Sequence, residues 1–284
     1  MLLGANLNSG PNPGYLQNKL SPKLETRHIS KEFVKGRSHI VPVVKDISLM
    51  IRPSEFVSIV GASGCGKTTF LRILDGLIEP TSGEVLIDGR KVSAPSSDRA
   101  FVFQKDSLWP WRTAADNVRF GLQIQRRPRQ EADSIVQSLL QLVGLKGFES
   151  HYPHELSGGM RQRVNLARAL AVNPEILLMD EPFASLDAQT REVMQLELLN
   201  IWNKRKKTVV FVTHQIDEAV YLSDRVVVFT ARPCVIKEVL PIDIPRPRPL
   251  RVKRTHEFLG YVERVWRLIE EEVFTASGVQ PPER

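Results

Sequence analysis

The chain has 284 residues, 42% of them hydrophobic and 25% charged, with a formal net charge of +7. This is the composition of an ordinary soluble chain, with room for one large domain or two small ones. No run approaches the roughly 18–20 consecutive apolar residues that cross a bilayer, so any membrane role is expected to be peripheral. Cys65 and Cys234 are too few for a disulfide framework and lack metal-ligand spacing, so they read as two reduced thiols.

In chain order, Met1 to Ser21 is rich in Asn, Gly and Pro, without the apolar run of a signal peptide, and a disordered lead is expected over 1–22. Lys23 to Ile51 alternates like antiparallel strands. Phe56 to Val60 is a short apolar run of the kind buried in a parallel sheet, and a helical pattern from Thr68 to Leu77 follows it. Gly83 to Val92 carries a hairpin signal at Asp88-Gly89. Phe101 to Phe103 is the next core strand. From Ser107 to His154 the period turns helical, most clearly over Ala132 to Val143, so a helical subdomain is expected at about 107–165, inserted into the main domain.

A helix over Arg161 to Ala171, a strand over Ile176 to Met179, a helix over Glu192 to Asn203, and strands over Val209 to Val212 and Val226 to Phe229 complete the pattern. Strands alternating with helices predict an α/β fold: a mostly parallel sheet with a flanking antiparallel β subdomain and the helical insertion. The main domain is expected over 23–230. The extension, 231–284, clusters Arg246, Arg248, Arg251, Lys253 and Arg254 among prolines, which reads either as a solvated basic tail or as a membrane-surface contact. Phe258, Val262, Val265, Trp266, Ile269 and Val273 share one helical face, expected to pack on its own domain.

Three runs carry chemistry. Gly61-Ala62-Ser63-Gly64-Cys65-Gly66-Lys67-Thr68 fits a phosphate-binding loop: glycines let backbone N–H groups converge on phosphate oxygens, and a following helix aims its positive end at them. Lys67 is suited to the β- and γ-phosphates and the Thr68 hydroxyl to Mg²⁺. The strand ending in Asp180-Glu181 brings one carboxylate for the metal and a second, Glu181, to polarise the attacking water. Leu156-Ser157-Gly158-Gly159-Met160-Arg161-Gln162-Arg163 reads as a Ser-capped helix whose first turn is left bare by two glycines, open to an anion.

That last run resembles the signature of ATP-binding cassette (ABC) ATPases, and the family's other motifs stand in order between about Leu24 and Arg225. The resemblance implies ATP and Mg²⁺ as ligands. It implies that Gln104 senses the metal and contacts the transmembrane partner, with Thr68 and Asp180 as the other metal residues. It implies that Asp187, in Ser185-Leu186-Asp187, crosses to a partner subunit, that His214 contacts the γ-phosphate, and that Phe33 stacks on adenine. Thr69 extends the phosphate loop. Ser157, Gly158 and Gly159 would cap the ATP of a second copy in a head-to-tail homodimer.

Pro110-Trp111, Ser157 to Arg163 and Asp180-Glu181-Pro182-Phe183 together are similar to the bacterial nitrate, sulfonate and taurine importers. That implies permease subunits, an external solute-binding protein reached indirectly, no nucleic acid, and a peripheral place on the cytoplasmic face of the inner membrane. The chain departs from the pattern at Thr68-Thr69-Phe70, at Gln215 after His214, and over Ala231 to Cys234. Two other readings compete. A soluble cassette ATPase of translation or repair generally carries two cassettes or a coiled-coil insertion, and neither is visible. A P-loop kinase or GTPase has no need of Ser157-Gly158-Gly159.

Overall fold

The computed structural model describes residues 21–277, apart from positions 37 and 106 and, in the last helix, the side chains at 271 and 273–277. Most of the lead expected over 1–22 therefore lies outside the described residues.

The main sheet is assembled from runs with no polar face. Strands β3 (Phe56–Val60), β7 (Ile176–Asp180) and β8 (Thr208–Val212) are buried at every position. With β6 (Arg99–Val102), β9 (Arg225–Phe229) and β10 (Ile236–Pro241) they form a six-stranded sheet in the order β10-β9-β3-β8-β7-β6. All its pairings are parallel except that of β10, which runs antiparallel to β9. Alternate residues serve opposite faces, as the strand period of two requires. On β8, Val209 and Phe211 pack with the helices of one face, while Val210 and Val212 pack towards the other. Fully burying each such side chain contributes about 1.5–3 kcal/mol.

The second layer is a four-stranded antiparallel sheet, β2-β1-β4-β5, made of β1 (Leu24–Lys35), β2 (His39–Ile51), β4 (Ser82–Ile87) and β5 (Arg90–Lys91). The β4–β5 hairpin turns at Asp88-Gly89, both at positive φ (48° and 74°). Helix α1 (Lys67–Asp75) lies in this layer, with Phe70, Leu71 and Leu74 buried in the core shared by the two sheets.

The opposite face carries α4 (Gly158–Ala171), α5 (Ala188–Arg205), α6 (Ile216–Leu222) and the terminal α7 (His256–Ser277). Helices α2 (Ala114–Ile124) and α3 (Arg129–Leu142) come between β6 and β7 in sequence and pack on α4. Helix α4 starts where the Ser-capped run implies, with Gly158 and Gly159 in the turn before its apolar pattern begins at Arg161. The Ser157 hydroxyl accepts the Met160 N–H (3.2 Å), and this cap starts the helix on the two glycines.

The segment after 230 corrects two expectations. The basic stretch is not a free tail, since Arg246, Arg248 and Lys253 are taken up by the domain itself. Arg248 is 3% exposed and donates to the carbonyls of Val220, Tyr221, Ser223, Ile242 and Ile244. Arg246 pairs with Asp224 at 2.9 Å, and Lys253 donates to Gln195 at 2.7 Å. Carbonyls freed at the end of α6 need donors, and an arginine fork supplies them. Only Arg251 and Arg254 of the five are exposed. On α7, Phe258, Val265 and Ile269 are buried as the periodicity implied, but Trp266 lies at the margin, 38% exposed. Val273 is outside the described side chains.

Candidate functional site

Four sequence motifs leave the carboxyl ends of neighbouring strands. The phosphate loop follows β3, Gln104 follows β6, Asp180 closes β7 with Glu181 next, and His214 follows β8. Because β3, β8, β7 and β6 lie side by side and parallel, these residues converge on one edge.

The loop wraps back over the start of α1. Gly66 is the N-cap at φ 133°, and a Cβ there would stand 2.9 Å from the Val43 carbonyl oxygen. No side chain caps α1 and its first turn holds no acid, so its N–H groups face the cleft unopposed, as an anion site requires. Lys67, 5% exposed, folds its ammonium onto the loop's own carbonyls at Gly61 (2.8 Å) and Ala62 (3.0 Å). Cys65 is buried and turned inward, and burial pushes its thiol pKa up.

Across the cleft, the Thr68 hydroxyl donates to Asp180 Oδ1 at 3.0 Å. Asp180 is 3% exposed, and burial raises its carboxyl pKa, opposed by the Thr68 hydrogen bond. Glu181 takes φ 46°, a left-handed value unusual for its type, while its N–H is fixed on the Val212 carbonyl at 2.9 Å. That bend aims the side chain at two donors. Gln104 Nε2 (2.9 Å) and His214 Nδ1 (3.0 Å) both meet Glu181 Oε2. A carboxylate only accepts, so the His214 proton sits on Nδ1. Ser63, Gly64, Gly66, Lys67, Thr68 and Thr69 form one wall of an open cleft of about 550 Å³, and Gln104, Glu181 and His214 line it too.

The signature residues lie elsewhere. Ser157, Gly158, Gly159 and Asp187 line a separate cleft of about 500 Å³ that shares no lining residue with the first. Asp187 caps α5 by accepting the Thr190 N–H at 3.0 Å. Phe33 lies outside both clefts, 40% exposed on β1 and opposite Val41. A larger cleft, about 690 Å³, opens at the other edge of the sheet, near Ser54, Glu175 and Thr208, and holds none of the motifs.

Three side chains around the site escaped the sequence reading. Arg191 donates to the Leu186 carbonyl (2.6 Å) and to Gln215 (3.0 Å), tying the turn before Asp187 to the residue after His214. Glu218, buried under that loop, accepts from Thr213 (2.5 Å) and Gln195 (2.9 Å). Arg232 reaches the phosphate-loop cleft from the segment after β9. None belongs to a local motif, and each is placed by tertiary packing.

A glycine-rich loop between a parallel strand and an uncapped helix, at the carboxyl edge of the sheet, places the chain among P-loop nucleoside triphosphatases. The ABC transporter family model matches residues 44–184. An uncharacterized ABC transporter ATP-binding protein of Methanocaldococcus jannaschii is 51% identical over 257 residues, covering 90% of this chain and 95% of the relative. A nitrate import ATP-binding protein of Synechocystis sp. is 43% identical over 87% of this chain and 94% of its own length. An aliphatic sulfonates import ATP-binding protein of Bacillus cereus is 44% identical over 78% and 86%. Among solved structures, a dimeric ATP-binding cassette in a post-hydrolysis state with ADP and Pi superposes with a TM-score of 0.71. It is 34% identical, covering 78% of this chain and all of that one. The chain belongs to the family of ABC transporter ATP-binding proteins, and its enzymatic activity is ATP hydrolysis.

Proposed function

We propose that the chain is the ATP-hydrolysing subunit of an importer for a small solute of the nitrate, sulfonate or taurine kind, working as a head-to-tail homodimer. The observation that carries this reading is the presence of two separate clefts on one chain. The phosphate-loop cleft has the residues for hydrolysis, and the Ser157–Asp187 cleft has a Ser-capped helix start led by two glycines, with no phosphate loop beside it. Two copies facing each other would bring one of each to every nucleotide. The dimeric cassette that this chain resembles supports that arrangement.

In this reading the N–H groups from Gly61 to Thr69 cradle the phosphates, and Lys67 exchanges its two carbonyls for phosphate oxygens. Glu181 is the general base that polarises the attacking water, held in place by Gln104 and His214. His214 presents its other ring nitrogen to the γ-phosphate, and it must carry a second ring proton to donate there, because phosphate oxygens only accept. Ser157, Gly158 and Gly159 of the second copy close over that phosphate, with Asp187 at the seam, and Phe33 stacks on the adenine. Thr68, Asp180 and the carbonyl end of Gln104 form an all-oxygen donor set, which fits Mg²⁺. Among the described residues no cluster of three or more His, Cys, Asp or Glu could hold a metal alone, consistent with an ion that shares its shell with substrate phosphates and water. Mg²⁺ there supplies charge neutralisation of the β- and γ-phosphates.

ATP that bridges both copies binds the closed dimer far better than the open one, and this difference in affinity is what drives closure. Permease subunits would take up that motion, with an external solute-binding protein acting through them. No helix of the described residues is long and apolar enough to cross a membrane, which suits a peripheral subunit on the cytoplasmic face. The importer names of the nitrate and sulfonate relatives support this assignment. Pull-down from solubilised native membranes is expected to recover a small polytopic membrane protein. A chain that stays wholly in the soluble fraction of its native lysate contradicts the transport reading.

A further inference from the structure

Arg232 comes from the turn between β9 and β10, outside every motif already assigned. Its guanidinium donates to the Gly64 carbonyl at 2.6 Å and lines the same cleft as Lys67, Thr68, Glu181 and His214. Among the described residues, Gly64 is its one hydrogen-bond partner and no carboxylate pairs with it. A guanidinium has five N–H donors, so most of its capacity and its whole charge remain for the cleft. Lys67, by contrast, is buried against two carbonyls within the loop.

The turn that carries Arg232 is pinned on both sides. The Ala231 N–H donates to Glu272 Oε2 at 3.1 Å, and Glu272 Oε1 holds Lys237 Nζ at 3.0 Å. The Cys234 N–H donates to the Val43 carbonyl (2.9 Å), and the Lys45 N–H to the Cys234 carbonyl (3.0 Å). The Val235 N–H closes the turn on Thr230 Oγ1 at 3.1 Å. Helix α7, through Glu272, therefore fixes where an exposed cation stands beside the phosphate loop.

We infer that Arg232 is a second cationic ligand of the nucleotide's phosphate chain, supplied by the C-terminal segment, with Glu272 as its positioning residue. The inference rests on the phosphate-loop cleft being the nucleotide site. Arginine suits the task because its planar fork meets phosphate oxygens bidentately, and its hold weakens with ionic strength. The C-terminal segment then forms part of the nucleotide site, so its displacement would loosen ATP.

The test uses the full-length chain and measures ATP affinity by displacement of a fluorescent nucleotide at low and high salt. Lys67→Ala first checks the underlying site, and unchanged affinity in that variant overturns the nucleotide-site reading itself. Arg232→Gln keeps a donor for the Gly64 carbonyl but removes the charge. It is expected to weaken ATP binding about tenfold at low salt, to flatten the salt dependence, and to leave the melting temperature unchanged. Arg232→Lys should recover part of the loss, and Glu272→Ala should lose about threefold. If Lys67→Ala abolishes binding while Arg232→Gln binds ATP as wild type does, with the same salt dependence, the inference fails and the site stands. A loss in Arg232→Gln that tracks a lowered melting temperature, with no change in salt dependence, makes Arg232 a buttress of the loop and overturns it as well.

Discussion

Glu181→Gln isolates chemistry from binding. Glu181 Oε2 accepts from both Gln104 (2.9 Å) and His214 (3.0 Å), and the side chain is 17% exposed. An amide of the same volume can place its oxygen at that position, so both hydrogen bonds and the local packing survive. What disappears is the negative charge and the ability to take a proton from water. General-base catalysis contributes about 10²–10⁴ in rate, or about 3–5 kcal/mol of barrier. Steady-state phosphate release should fall by that factor. ATP affinity should hold or tighten, since a carboxylate beside the triphosphate is gone. With hydrolysis blocked, ATP should keep the closed dimer populated, visible on a sizing column. Phosphate release within about threefold of wild type would falsify the base assignment, because no such charge loss is compatible with that role.

Two further expectations concern the scaffold of the site. Gly66→Ala forces a Cβ to 2.9 Å from the Val43 carbonyl oxygen and 3.0 Å from Cys234 Sγ at φ 133°. Strain and overpacking together should cost about 2–4 kcal/mol, a fall of roughly 5–15 °C in melting temperature, with nucleotide binding lost; a melt within a degree of wild type contradicts this. Glu218 has its pKa raised by burial, against the Thr213 and Gln195 hydrogen bonds, so folding disfavours its charged form relative to the unfolded chain. Its linkage therefore favours folding least above the raised folded-state pKa and improves as pH falls through that value towards 4.5. Glu218→Gln should be more stable than wild type near neutral pH, with the gap closing towards pH 4.5 in denaturant titrations. A constant gap across that range speaks against the buried-charge account.

Most of the active edge was legible because its parts are local. The runs at β3, β7 and β8 are apolar at almost every position, and loops after parallel strands carry the chemistry. Thus the phosphate loop, Gln104, Asp180, Glu181 and His214 could be placed together from sequence. The start of α4 was legible for the same local reason, because the Ser157 cap offsets the poor helix propensity of Gly158 and Gly159. The basic stretch misled because charge normally seeks water, whereas Arg248 finds five buried carbonyls that no sequence window reveals. Arg191, Glu218 and Arg232 reach Gln215, Gln195 and Gly64 across separations of 24, 23 and 168 residues, and no spacing rule reaches that far.

The central claim is that each catalytic site is built from two copies, and a mixing experiment tests it directly. Lys67→Ala removes the phosphate-loop half and Ser157→Arg the signature half, so each variant alone should be inactive. In a mixed dimer both lesions fall on one site, where the new arginine faces a loop that holds no ATP, and the other site is intact. A two-fold pair mixed one to one should therefore recover about a quarter of wild-type ATPase activity. A mixture as inactive as its components contradicts the shared site.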